Sequence, residues 1–268
     1  MSTPLAANPR SKWHSFSWIA GLSLVVGLVY ANSFTGPFVF DDLPAIADNP
    51  SIRRLRPLGA VLAPDLDGGV TVSGRPLVNF SLAVNYALGG KGVASYHATN
   101  LLIHMLAGLV LLGVVRRTLR RSSSVVLREN AGSVGGFTAL LWLLHPLQTE
   151  SVTYIVQRAE ALMGLCYLLS LYGFIRATEA TRPGRWFALS VMACLLGMAC
   201  KEVMVSAPLM ILLYDRTFVA GTFRAAWQHR WRYYLALAAT WLVLAWLVAG
   251  TTGRGGTAGF GTTVGSWP

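Results

Sequence analysis

The sequence is short of charge. Only 12% of its 268 residues are Asp, Glu, Lys or Arg, while 54% are hydrophobic, and the mean hydropathy is +0.51. A soluble domain carries about twice that share of charge, so the deficit points to a bilayer as solvent. Acidic residues are scarcest, 11 against 22 basic ones, which leaves a net charge of +11. Such an excess would suit a nucleic-acid partner. Here, however, the basic residues stand in short stretches between apolar runs, where membrane proteins collect them for topological reasons, and no nucleic acid is expected. There are three cysteines, Cys166, Cys194 and Cys200, all within apolar runs. They lack metal-ligand spacing and the pattern of a secreted disulfide framework, and read as small core residues. Also missing are a Gly-rich nucleotide loop, a serine nucleophile elbow and a HExxH pair. A water-soluble nucleotide substrate is therefore not indicated.

What the chain does have is apolar runs. A helix needs about 20 apolar residues to cross a hydrocarbon core. Runs near 16–32, 97–115, 133–148, 159–175, 186–200, 203–215 and 233–250 approach that length. The expected fold is an all-α integral membrane protein with about seven transmembrane helices. The first run follows Arg10 and Lys12 as a signal peptide would, but no small-x-small cleavage site with a soluble domain follows it, so it reads as a retained anchor. The fifth and sixth runs are separated only by Lys201 and Glu202, which allows either a tight hairpin or one broken helix.

Basic residues set the orientation. Arg10 and Lys12, Arg116, Arg117, Arg120, Arg121 and Arg128, Arg176, Arg182 and Arg185, and Arg216, Arg224, Arg230 and Arg232 fall on one side of these spans. The remaining eight are spread over much longer loops. The positive-inside rule puts residues 1–15 in the cytoplasm and the long loop 33–95 in the periplasm or a lumen. That loop carries six prolines and reads as ordered short helices on the membrane surface, with NFSLAVNYALGG (79–90) as its best amphipathic candidate. Residues 16–250 form the membrane domain. The Gly- and Thr-rich stretch 251–268 reads as a flexible tail.

The unusual polar residues collect on the non-cytoplasmic side. Ionisable groups at span edges are costly and so are functional candidates. Asp41 and Asp42 follow the first span; the pair offers a helix cap before Leu43-Pro44 or, through mutual repulsion, a carboxylate poised as a base. His97 opens the second span. His145 and Glu150 end the third in HPLQTE, where His145-Pro146 also serves as a helix stop. Arg158 opens the fourth, two turns from Glu150, with which it could simply pair. Lys201 and Glu202 form the outer turn, as site residues or as an interfacial ion pair. Arg75 in GRPL serves a loop or a phosphate, and His104 reads as a hydrogen-bonded core histidine. Carboxylates with a few cations at a lipid-facing edge suit a lipid-linked phosphate donor: cations hold the leaving phosphate and a carboxylate deprotonates the acceptor. Asp41, Asp42 and Glu150 also offer oxygen ligands for a divalent cation, although the basic residues nearby can neutralise charge without one.

The motifs NSFTGPFVFDD (32–42), NPSIRRL (49–55), GRPLVNFSLAVNYALGG (74–90), YHATNLLIH (96–104), HPLQTESVTYIVQRAE (145–160) and KE (201–202) resemble one family. It is the transmembrane and tetratricopeptide-repeat O-mannosyltransferases with their bacterial relatives, which look like members of the GT-C glycosyltransferase superfamily. The resemblance covers roughly residues 30–220. It implies a polyprenyl-phosphate sugar donor, a protein or glycan acceptor, and a catalytic base in the first outer loop, matched by Asp41 or Asp42 with Asp41 favoured. Glu150 matches a second acidic position, and His97, Arg158 and Lys201 match donor-phosphate ligands. The family pattern continues with more spans and repeats of about 34 residues, which this sequence lacks. It therefore reads as the N-terminal portion of such a protein. Two other readings stand beside a transferase: a truncated, non-catalytic membrane partner or scaffold, and a lipid or sugar transporter. Transporters favour paired repeats and midplane charges, and the span centres here are nearly free of charge.

Overall fold

The computed structural model describes residues 9–63 and 71–250, with side chains described from residue 17 onward. The tail 251–268 and most of the stretch 1–15 lie outside the described residues. Every regular element among the described residues is helical.

Helix α1 (Pro9–Val29) starts on a proline, whose missing N–H is no loss in a first turn. Short turns follow at 31–35, 43–47 and 50–52, then α2 (Leu58–Leu62) and α3 (Pro76–Gly89). Proline punctuation keeps these pieces short: Pro44, Pro50 and Pro76 each sit in the first turn of an element, where they are tolerated, and block extension of the chain before them. α4 (Val93–Leu119) begins after Gly92 and carries Arg116 and Arg117 in its last turn, the favourable end for cations. Next come α5 (Val125–Glu129), α6 (Ala131–Leu143), α7 (Thr149–Thr153), α8 (Arg158–Glu179), α9 (Gly184–Met198), α10 (Ala207–Asp215) and α11 (Phe223–Ala249). α11 is capped by Thr222, whose hydroxyl accepts from the Ala225 amide at 3.1 Å.

Among the described residues, four helical stretches are long and apolar enough to cross a membrane: Val93–Leu119, Ile155–Glu179, Glu202–Ala220 and Phe223–Ala249. Of the other three expected spans, two coincide with shorter apolar helices, Ala131–Leu143 and Gly184–Met198, and the third with α1, whose side chains are described from Ser17 onward. A 13-residue helix such as α6 rises only about 20 Å against a core of about 30 Å. Among the described residues four helices thus have the length of a span, as expected of an integral membrane protein, while α6 and α9 end early where His145-Pro146 and Lys201 turn the chain. Leu28, Leu141, Leu242 and Trp246 are exposed on helix surfaces, a pattern that suits lipid contact.

The helices pack in sequence α6–α4–α8–α9–α11. Leu22, Val26, Leu101, Ala139 and Leu143 join α1, α4 and α6, while a larger cluster including Phe174, Cys194, Ile211 and Leu237 joins α8 to α11. The cysteines are all buried and free, as expected of core residues. α8 and α9 meet at Gly173, where an added Cβ would stand 3.0 Å from the Ser190 nitrogen and the Trp186 carbonyl. The question left open around residues 201–202 resolves as a reversal. α9 ends at Met198, Lys201 is extended, and Met204 folds back onto Gly197.

The 33–95 loop is held together by buried polar contacts. Asn49 and Asn79, both fully buried, share a hydrogen bond of 3.1 Å. Asn49 also accepts from the Ser51 amide, and Asn79 donates to the Val61 carbonyl at 2.7 Å. Helix α3, the expected surface helix, buries Val78, Asn79, Leu82, Ala83 and Asn85 and packs on α2 and α4.

A candidate active site at one end of the bundle

The turn between α6 and α8 organises the site. His145 ends the α6 segment, and its Nδ1 accepts from the Leu147 amide at 3.2 Å, the helix-stop role. α7 then breaks at Tyr154, whose extended backbone separates it from the turn 155–157. That break leaves backbone amides without helical partners, and Asp42 takes one: the Val156 N–H donates to its Oδ1 at 2.8 Å. The second Asp42 oxygen accepts from Val39 N–H at 3.2 Å. Asp42 is 1% exposed. Burial pushes its carboxyl above the ordinary aspartate range and Asp41 adds a smaller push, against the pull of the two amides and of His97. Asp42 is therefore an anchor that ties the 33–95 loop to the 154–158 turn.

Asp41 has the opposite surroundings. It is exposed, and its amide donates to the Tyr154 phenol oxygen at 3.0 Å. Phe40 before it takes a φ of 45°, a left-handed conformation that a bulky residue adopts only when its surroundings hold it there. Tyr154 is the meeting point. Burial raises its phenol pKa, and the carboxylates of Asp41, Asp42 and Glu150 all act on it in the same direction.

Beside this turn lies a cavity of about 380 Å³, with Gln148, Glu150, Gln157 and Glu160 on its polar side and His104, Trp142 and Met163 on its apolar side. Gln157 donates to the Glu150 carboxylate at 3.3 Å. Glu160 forms an ion pair with Lys201, and Glu202 pairs with Arg75 at 3.4 Å. A row of polar groups thus runs from Asp41 through Tyr154, Glu150, Gln157, Glu160 and Lys201 to Glu202 and Arg75.

Not every sequence candidate joins this row. Arg158 is fully buried. Its Nε donates to Asn100 Oδ1 at 2.7 Å, and its terminal nitrogens donate to the carbonyls of Ser81 and Tyr96 at 3.2 and 3.1 Å. With each of its three nitrogens bonded inside the bundle, it does not pair with Glu150. The cause is helical period: two residues on a helix are about 200° apart, so Arg158 and Glu160 face opposite ways. His97, 3% exposed, meets the Gly36 carbonyl at 3.1 Å. His104 meets the Leu143 carbonyl at 3.0 Å, as a core histidine should, yet one side of it lines the cavity. Lys201 and Glu202 are not paired with each other; each reaches a different helix. Asp41, Asp42 and Glu150 do not form a ligand set, because the Asp42 oxygens are taken by amides, and no three His, Cys, Asp or Glu among the described residues are placed to hold an ion.

Sequence reasoning passed over Tyr154, Gln157 and Glu160. Gln157, Glu160 and Gly164 recur at helical spacing along one face of an otherwise apolar segment, and that signal was available.

No family model matches the chain, and no solved structure matches it. Curated proteins are. The protein O-mannosyl-transferase Tmtc1 of Drosophila melanogaster is 32% identical over 203 residues, 74% of this chain and 22% of that protein. The human protein O-mannosyl-transferase TMTC3 is 30% identical over 210 residues, 74% of this chain and 22% of its own length. Human TMTC4, of the same description, is 33% identical over 199 residues, 67% of this chain and 27% of its own. The matches thus take in most of this chain but only 22–27% of those relatives' length. By sequence, the chain is a relative of the TMTC protein O-mannosyl-transferases over the segment that it spans.

Proposed function

We propose that this chain is the donor-handling part of a GT-C-type membrane glycosyltransferase. It moves a sugar, mannose by the relatives' names, from a polyprenyl phosphate to a protein or glycan acceptor on the non-cytoplasmic side. In this reading all seven apolar helices lie in or across the bilayer and the N-terminus is cytoplasmic, as basic-residue placement favours. The observation that carries the proposal is the exposed Asp41, whose amide meets Tyr154, together with a cavity lined by Glu150, Gln157 and Glu160, the last of them paired with Lys201. Asp41 takes the proton of an acceptor hydroxyl. That oxygen bonds to the anomeric carbon as the bond from this carbon to the phosphate oxygen breaks. The polyprenyl phosphate leaves with both bonding electrons, and configuration inverts. Lys201, released from Glu160, balances the leaving phosphate, while Glu150, Gln157 and Glu160 bind sugar hydroxyls.

The test uses membranes carrying the chain in its native full-length setting, with labelled polyprenyl-phosphate mannose. Asp41→Asn lowers transfer by about 10²-fold or more, the usual worth of a general base. Asp42→Asn, which keeps an acceptor for the Val156 amide, retains transfer. Undiminished transfer by Asp41→Asn would overturn the assignment. A scaffold role is the second reading, favoured by the small share of each relative that the chain matches; sugar transfer by the 268-residue chain alone removes it.

A further inference from the structure

A second cavity, of about 660 Å³, opens between the first half of α9 and α11, and its size suits a small ligand. Its apolar lining includes Phe187 and Val191 of α9 and Ala236 of α11, and its polar lining includes Gln228, His229 and Arg232 of α11. Six consecutive residues, 228–233, border it. A regular helix turns about 100° per residue and presents only every third or fourth residue to one side. The run is possible because α11 leaves helical geometry at Arg230, with φ −137° and ψ 25°. Proline and glycine, the usual causes of a kink, are absent from α11. Arg230 instead reaches inward, and its Nη1 donates to both oxygens of the fully buried Asp215 at 3.1 and 3.0 Å. Tyr234 donates to the same carboxylate. The ion pair thus spends the Arg230 charge and holds the break that shapes the cavity.

Arg232 is exposed. Its guanidinium lies over the Trp231 ring, 5.3 Å from the centroid, and stacking leaves the N–H edges of the fork to an anion. Among the described residues, no carboxylate lines the cavity, and the stretch 216–232 holds four arginines and no acidic residue. The surroundings are apolar. Met192 of α9 and Trp231 and Leu235 of α11 are exposed, and tryptophan beside arginine suits a helix at a bilayer interface. We propose that this cavity binds one anionic glycerophospholipid. Its phosphodiester is held by Arg232, Gln228 and His229, and one acyl chain lies along Phe187, Val191 and Ala236. The kink makes the site, because it brings charged and apolar groups of one helix to the same side. A free phosphate would meet Arg232 and leave the apolar wall bare. The inference does not rest on the transferase reading: the cavity adjoins the first half of α9, whereas Lys201 follows the end of that helix.

The test is lipid retention by the full 268-residue chain in detergent, read by native mass spectrometry. The probes are phosphatidylglycerol and phosphatidylcholine of matched acyl chains, and inorganic phosphate. The wild type retains phosphatidylglycerol over phosphatidylcholine. Arg232→Gln weakens phosphatidylglycerol binding about fivefold, as expected for one interfacial charge. Ala188→Trp, at an exposed position that lines the cavity, leaves every charge in place and weakens binding several-fold. One variant acts through charge and the other through volume, so a folding defect in either leaves the other to decide. Arg224→Gln, an exposed arginine of the same helix outside the cavity, leaves binding unchanged. Equal retention of both lipids, equal loss in Arg224→Gln, full retention by Ala188→Trp, or displacement by millimolar inorganic phosphate would each overturn the proposal. A lipid-free dimer that Ala188→Trp disperses would overturn it as well, and give this face to a second copy of the chain.

Discussion

Replacing Arg158 with methionine separates a buried anchor from a substrate ligand. Methionine keeps the length and apolar stem of the arginine but removes the guanidinium. The bond from Nε to Asn100 Oδ1, at 2.7 Å, involves an ion and is worth about 1.5–3 kcal/mol; the two to the Ser81 and Tyr96 carbonyls contribute about 0.5–1.5 kcal/mol each. Those carbonyls belong to α3 and α4 and retain helical partners, so the atom left stranded is Asn100 Oδ1. The loss is partly offset, because a buried cation without a direct carboxylate partner carries a desolvation cost that methionine escapes, although arginine is weakly hydrated for a cation. The net expectation is a destabilisation of about 2–3 kcal/mol, roughly 30- to 150-fold in the unfolding equilibrium. Denaturant unfolding in detergent micelles, followed by tryptophan fluorescence, measures it. Arg158→Met should unfold earlier while its folded fraction still binds donor. A variant within 0.5 kcal/mol of the wild type that has lost donor binding would refute the buried-anchor reasoning and return Arg158 to the site.

Four further outcomes follow from the same geometry. Asp42 has a folded pKa raised by burial, so its protonated form favours folding: the contribution is full below about pH 4, the unfolded aspartate value, and is lost as pH rises through the folded pKa. Global stability, read as the denaturant midpoint, should therefore fall as pH rises through that window, and Asp42→Asn should flatten the dependence; an unchanged profile would contradict the assignment. Gly173→Ala forces α8 from α9 against backbone atoms and should cost about 1–3 kcal/mol, seen as a lower thermal midpoint; no shift would mean the helices give freely. Phe40→Gly removes left-handed strain worth about 1 kcal/mol, and should leave stability level or higher, read by the same unfolding assay, whereas a large loss would show that the ring packs. Exchanging the ion pair, Glu160→Lys with Lys201→Glu, should keep thermal stability close to that of the wild type yet abolish sugar transfer, because the cation has moved to the other side; retained transfer would show that the pair is only structural.

The number and rough position of the apolar segments were legible because hydrocarbon length and low charge leave a local trace. The six prolines of the outer loop likewise announced short pieces, and HPLQTESVTYIVQRAE announced a polar turn. Which of its residues face the cavity was not stated by their type. Arg158 and Glu160 stand two residues apart in one motif, and the helical period turns one inward and the other toward Lys201. Lys201 and Glu202 looked like a pair, and the extended backbone at Lys201 sends them to different partners.

The sequence by itself determined the solvent, the helical class, the basic asymmetry between the two ends and the family likeness, since each is carried by composition or by short contiguous motifs. Only the tertiary structure decided the division of labour between Asp41 and Asp42. Adjacent in the chain, they differ because the amide of Val156, 114 residues away, reaches one carboxylate and leaves the other exposed, and such a long-range contact leaves no mark in the local sequence.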